Sequence, residues 1–149
     1  MLKDILDRVF GDPEETHVDE ATSVEVATAV LLVEVAHADH DFSEQDRQVV
    51  RTELEKAFNL SKHQSLDVLN EAIDLHRHHI SFHEIVRLLK DKVVPESRIV
   101  LLRALWRVAL SDRVVHRYEE SQIRKIADWL YVPHRDFIRA KLEVQQEEA

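Results

Sequence analysis

No cysteine occurs among the 149 residues. A disulfide framework, a thiolate zinc site, a redox dithiol and a cysteine nucleophile are thereby excluded together. Glycine occurs once, at Gly11, and proline three times. Such scarcity excludes glycine-rich loops that cradle phosphates and leaves little material for tight hairpins. Long apolar runs are also missing. No stretch reaches the roughly 20 residues that span a bilayer, and the N-terminus lacks the charged-then-apolar pattern and small-residue cleavage site of a secretory signal. Positive charge is in deficit, with 20 Lys and Arg against 29 Asp and Glu and a net charge of −9, so a phosphate backbone would be repelled. These absences predict a soluble, cytoplasmic protein with no nucleic-acid partner and no transmembrane segment. An acidic surface suits divalent cations or basic protein partners, and a chain of this length fits one domain with a core sufficient to fold unaided.

What is present is helical periodicity. Leu2, Ile5, Leu6, Val9 and Phe10 recur at helical spacing before Gly11 and Pro13, predicting a short amphipathic helix. After the acidic turn Asp12–Glu15, Val, Ala and Leu cover most of the circumference from about Val18 to His37, the mark of a core helix. Ser43 with Asp46, Ser61 with Gln64 and Ser81 with Glu84 repeat a capping pattern, each ahead of an apolar run. Pro95 is placed as a first-turn proline before Ile99, Leu102, Leu105, Trp106 and Ala109. Two further helices are predicted, through Ile123, Ile126 and Leu130 and from near Pro133. No segment alternates with period two. The expected fold is all-α, about eight helices in one bundle-like domain.

The core helices repeat each other. Val33-Glu34-Val35-Ala36-His37-Ala38-Asp39 aligns with Trp106-Arg107-Val108-Ala109-Leu110-Ser111-Asp112, and the register continues through Asp46 with Glu119 and Val50 with Ile123. Each half reads as a buried helix, an acidic turn and an amphipathic helix, the signature of a duplication with pseudo-twofold arrangement. The expected organisation is an N-terminal helix and acidic turn over residues 1–15 packed on a domain over 16–149, with halves of about 18–80 and 95–145.

The segments Ala38-Asp39-His40-Asp41-Phe42-Ser43-Glu44-Gln45-Asp46 and Ser111-Asp112-Arg113-Val114-Val115-His116-Arg117-Tyr118-Glu119-Glu120 resemble the paired motifs of the TerB-like family associated with tellurite resistance. There the pattern is Ala-Asp-Gly, a hydrophobic residue three further on, then a glutamate opening the next helix. The resemblance runs from roughly Val24 to Leu142. It implies a duplicated all-helical fold, acidic motif residues that hold a divalent metal, and a role in stress response or at the inner face of the membrane. This chain departs from the pattern in carrying His40 and Arg113 at the glycine positions and Asp46 in place of glutamate. A cation beside each motif aspartate can stand in for a bound metal.

Hard cations such as calcium want several oxygen ligands. Asp39, Asp41 and Asp46 in the first turn, with Ser43 and Glu44, and Asp112, Glu119 and Glu120 in the second, with His116 as a nitrogen ligand, are the candidate set. Capping offers a competing explanation, since Asp46 and Glu119 fall at the third helical position, where a carboxylate reaches back to the cap amide. Asp39-x-Asp41-x-Ser43 begins like an EF-hand loop, but Glu44 replaces the required glycine and Val50 the terminal glutamate, which excludes that motif.

His76, His79 and His83 have helical metal-ligand spacing, but Ser81 opens a new helix between them, so a solvated surface cluster is expected. Trp106, Trp129, Tyr118, Tyr131 and Phe137 are expected as core or interface anchors. Arg103 and Arg107, on an otherwise buried helix, are expected to pair with acids or snorkel. Lys3 and Arg8 against Asp4 and Asp7 give the N-terminal helix no net pull toward anionic lipid, so peripheral membrane association is disfavoured. Packing on the bundle, or on a second copy in a homodimer, is expected instead. No nucleophile stands beside a base and no carboxylate pair is grouped for catalysis. The expected function is a non-catalytic acidic module that binds a divalent cation, with calcium a candidate, or a partner protein through the two turns; the alternative is a purely structural interaction scaffold, a homodimer whose acidic turns only cap helices.

Overall fold

The structure, a computed structural model, describes residues 16–37, 41–111 and 117–147. The expected N-terminal helix lies outside them. Seven helices follow in order: α1 Val24–His37, α2 Glu44–Phe58, α3 Lys62–Arg77, α4 Phe82–Lys92, α5 Pro95–Ala109, α6 Arg117–Trp129 and α7 His134–Glu147. No strand occurs among the described residues, which carry only an isolated backbone bridge between Thr16 and Ile80.

The helix starts are set by local chemistry. At α2 the Ser43 hydroxyl accepts from the Asp46 amide while the Asp46 carboxylate accepts from the Ser43 amide, and Ser61 and Gln64 repeat this box at α3. Ser81 caps α4, but the Glu84 carboxylate turns away to His17 and the Val18 amide. Pro95 occupies the first turn of α5.

One boundary differs from the sequence expectation. The core helix begins at Val24, not near Val18. Asp19 accepts from the Ala21 amide and closes a turn to Thr22. The Ser23 hydroxyl then accepts from the Val26 amide as the helix cap. Ahead of that turn the chain is drawn along α4, with Thr16 bonded to His79 and Ser81 and the Lys92 ammonium donating to the carbonyls of Glu20 and Thr22.

Helices α1 and α5 form the centre. Most of α1 is buried, and α5 contributes Leu102, Leu105 and Trp106 to the same core. Packing repeats between the halves: α1 lies on α3 as α5 lies on α7, α1 on α2 as α5 on α6, and α1 reaches α6 as α5 reaches α2. Helix starts obey the same correspondence, because Glu44 and Arg117 are equivalent in the aligned repeat and open α2 and α6. Helix α4 joins the two units and packs on α1 and α6.

The five aromatic residues expected as core or interface anchors divide between core and surface. Trp106 and Phe137 are core residues with ring centroids 5.3 Å apart, and Trp129 is partly buried. Tyr118 and Tyr131, however, are 68% and 74% exposed. Tyr118 lies in the first turn of α6 and Tyr131 in the connection that follows it. Tyr131 also has φ of 57°, as do Asn59 and His79 at similar values. All three follow helix ends, where a left-handed residue is needed and glycine is preferred, in a chain whose one glycine lies elsewhere.

Candidate functional site

The starts of α2 and α6, which are equivalent in the repeat, line a common cleft. Ser43, Gln45 and Asp46 from the start of α2, Ala36 from α1, Val108 and Ser111 at the end of α5, and Glu119 from α6 line one cleft of about 220 Å³. Asp46 and Glu119 occupy equivalent repeat positions, and both are withdrawn from solvent, at 9% and 2% exposure. Acids at such burial need compensation, because the charged form loses its hydration. Asp46 obtains part of it from the Ser43 amide, 2.9 Å away, and neither carboxylate is without a partner.

The remaining candidates are placed as follows. Ser43 lines the cleft, and its hydroxyl caps α2. Asp41 and Glu44 are exposed, and Glu44 accepts from the Gln48 side chain across one helical turn. Glu120 sits 3.7 Å from both Arg124 and Lys141 and faces α7. Asp39, Asp112 and His116 lie outside the described residues. Among the described residues no three His, Asp or Glu side chains converge as a metal-binding group. The oxygen donors of the cleft nonetheless match hard-cation chemistry: two carboxylates and a hydroxyl, with no nitrogen or sulfur required.

The histidines do not act as one surface cluster. His76 is half-buried, with Nε2 2.6 Å from Glu34 Oε2 and its ring against Phe82 and His37. His79 follows the end of α3, and His83 meets Trp129 edge-on. His76 and His83 thus meet different partners, and among the described residues the three do not converge as a metal-binding group, because the chain turns between His79 and Ser81.

Arg103 and Arg107 pair with acids, as expected. Arg103 donates to Glu143 at 2.8 Å. Arg107 donates to Glu147 through two nitrogens at 2.9 Å and reaches the buried Glu53 at 3.5 Å. Burial pushes the Glu53 carboxyl above its ordinary range, against the pull of Arg107. Hydrogen bonding to Arg107 holds Glu147 below its range, and the same bond raises the guanidinium. The triad ties α2 of the first half to α5 and α7 of the second. Glu53 went unnoticed in the sequence because its partner is 54 residues away. Its polar type on an amphipathic helix gave no signal of burial.

No described helix is long and apolar enough to cross a membrane. Neither the curated proteins nor the solved structures compared with the chain give a match. A family model described as "Tellurite resistance protein TerB" matches residues 25–142, which takes in both buried helices, both acidic turns and the whole central cleft, and the chain belongs to the TerB family.

Proposed function

We propose that this protein is a non-catalytic helical module that holds a divalent cation in the cleft between the starts of α2 and α6. The observation that carries the reading is the convergence of Asp46 and Glu119, equivalent in the repeat and buried in one cleft. A hard cation is drawn to carboxylate and hydroxyl oxygens that line one small cleft. Asp46 and Glu119 would be ligands, with Ser43 at the rim and Asp39 and Asp112 contributed by the adjoining segments. Calcium suits this oxygen set, and the cation would join the two halves across their seam. A role in tellurite-linked stress and a cytoplasmic location belong to the same reading and rest on the family resemblance and on the absence of cysteine, whereas self-association as a homodimer belongs to the alternative scaffold reading.

A second reading, an interaction scaffold without metal, is supported by the capping box, which gives Asp46 a complete local role at α2. Asp46→Asn with Glu119→Gln distinguishes the two. Asparagine retains an oxygen for the Ser43 amide, so capping survives while the ligand charge is lost. Thermal unfolding of chelator-treated protein is measured with millimolar calcium, magnesium, manganese or zinc. A ligand confined to the folded state adds about 2.7 kcal/mol at a hundredfold excess over its dissociation constant. The metal reading expects a rise in melting temperature with one cation that the double variant abolishes. No rise with any cation leaves the scaffold reading.

A further inference from the structure

A second constellation stands on α4, apart from the acidic cleft. His83, Arg87 and Lys90 succeed one another at intervals of four and three residues along one flank of that helix. They line a surface pocket of about 290 Å³ whose opposite wall is Asp128, Trp129 and Tyr131. Aromatic rings and cations are interleaved there. The Lys90 ammonium lies 4.7 Å from the Tyr131 ring centre, the Lys125 ammonium 5.1 Å from that of Trp129, and the His83 ring 5.3 Å from Trp129.

Charge and strain both single out this surface. Within the pocket Arg87 and Lys90 stand against one acid, Asp128, and Lys125 adds a further cation over Trp129 beside it, on a chain of net charge −9. The acids flanking Arg87 on α4 do not cancel it. Glu84 is taken by His17 and the Val18 amide, and Glu20 and Asp91 line the neighbouring groove beside Arg87, with no ion pair to it among the described residues. Tyr131, meanwhile, holds a left-handed backbone angle that crowds its Cβ, yet leaves its ring 74% exposed. Neither core packing nor backbone geometry accounts for a tyrosine there, whereas a binding surface does.

We propose that this pocket binds an acidic peptide segment of a protein partner. Arg87 presents a planar fork that matches a carboxylate, Lys90 a second cation one turn away, and Trp129 and Tyr131 the apolar faces for side chains between the acids. Aromatic and arginine side chains together are the composition of interface anchors.

The full-length protein is titrated with a synthetic hexapeptide of alternating glutamate and leucine, in chelator, following Trp129 fluorescence; Trp106 is enclosed in the core. The expected result is saturable binding, weakened about tenfold or more by Arg87→Gln/Lys90→Gln and by high salt. A lysine–leucine hexapeptide should not bind. Tyr131→Gly is the informative second variant, because it relieves the backbone: its melting temperature should hold or rise while peptide affinity falls. Absence of saturable binding, affinity unchanged in the arginine–lysine double variant, or unchanged affinity in Tyr131→Gly would overturn the proposal. So would inorganic phosphate producing the same saturating response and competing the peptide away, which would make this a small-anion site. Asp46→Asn should bind the peptide normally, separating this outcome from the fate of the metal reading.

Discussion

At Glu53 burial and charge pull against each other. Its carboxyl titrates above the ordinary value because burial disfavours the anion more than Arg107 supports it. A raised folded-state value means that the folded chain takes up the proton more readily than the unfolded one. The associated stability is therefore present below the unfolded value of 4.5 and lost as pH rises through the folded value. Replacing Glu53 by Gln removes this dependence while keeping an acceptor for Arg107. The expectation is that Glu53→Gln gains stability relative to the parent as pH rises above 4.5, measured by urea unfolding at successive pH values. A gap that shrinks with rising pH would show that the pairing with Arg107 dominates instead. Glu147 has the opposite sign, since its lowered value contributes stability above 4.5 that is lost on acidification. At this scale, legibility follows sequence distance. The Ser43–Asp46 box could be read because its partners are three residues apart, whereas Glu34 and His76 are separated by 42 residues and nothing local marks them as a pair.

Helix α7 shows what an element gains from packing that its own sequence does not reveal. It is held to α5 by Phe137 against Trp106, by Glu143 with Arg103 and by Glu147 with Arg107. The partly exposed ion pairs contribute little individually, so the aromatic contact dominates. Phe137→Ala should cost about 3–5 kcal/mol through lost burial and a residual cavity. At about 2–4 °C per kcal/mol for a chain of this size, the melting temperature should fall by roughly 10 °C, as followed by helical circular dichroism. A loss below about 1 kcal/mol would mean that the surrounding helices collapse onto the vacated space. Amphipathic spacing located α6 and α7, but spacing names a face without saying how far its cover extends. That is why Tyr118, in the first turn of α6, is exposed while Phe137 is enclosed.

For the whole molecule the decisive contacts are the exchanged ones, α1 with α6 and α2 with α5, added to the direct packing of α1 on α5. Each half buries its central helix against the other, so neither half has a closed core by itself. Unfolding should therefore be a single transition, with coincident midpoints by circular dichroism and tryptophan fluorescence. Both tryptophans belong to the second half, so independent unfolding of the first would separate the two probes and refute this account. The sequence by itself determined the helical class, the duplication, the capped starts of α2 and α3 and the acidic character of both turns. These depend on residue type and spacings of a few positions. Only the tertiary structure decided that Asp46 and Glu119 share one cleft while Asp41 and Glu44 face solvent, that His76 answers Glu34, and that α4 sets its cations opposite Trp129 and Tyr131. Those outcomes depend on which helix faces meet across the fold, and the free energy of that choice is spread over the entire core.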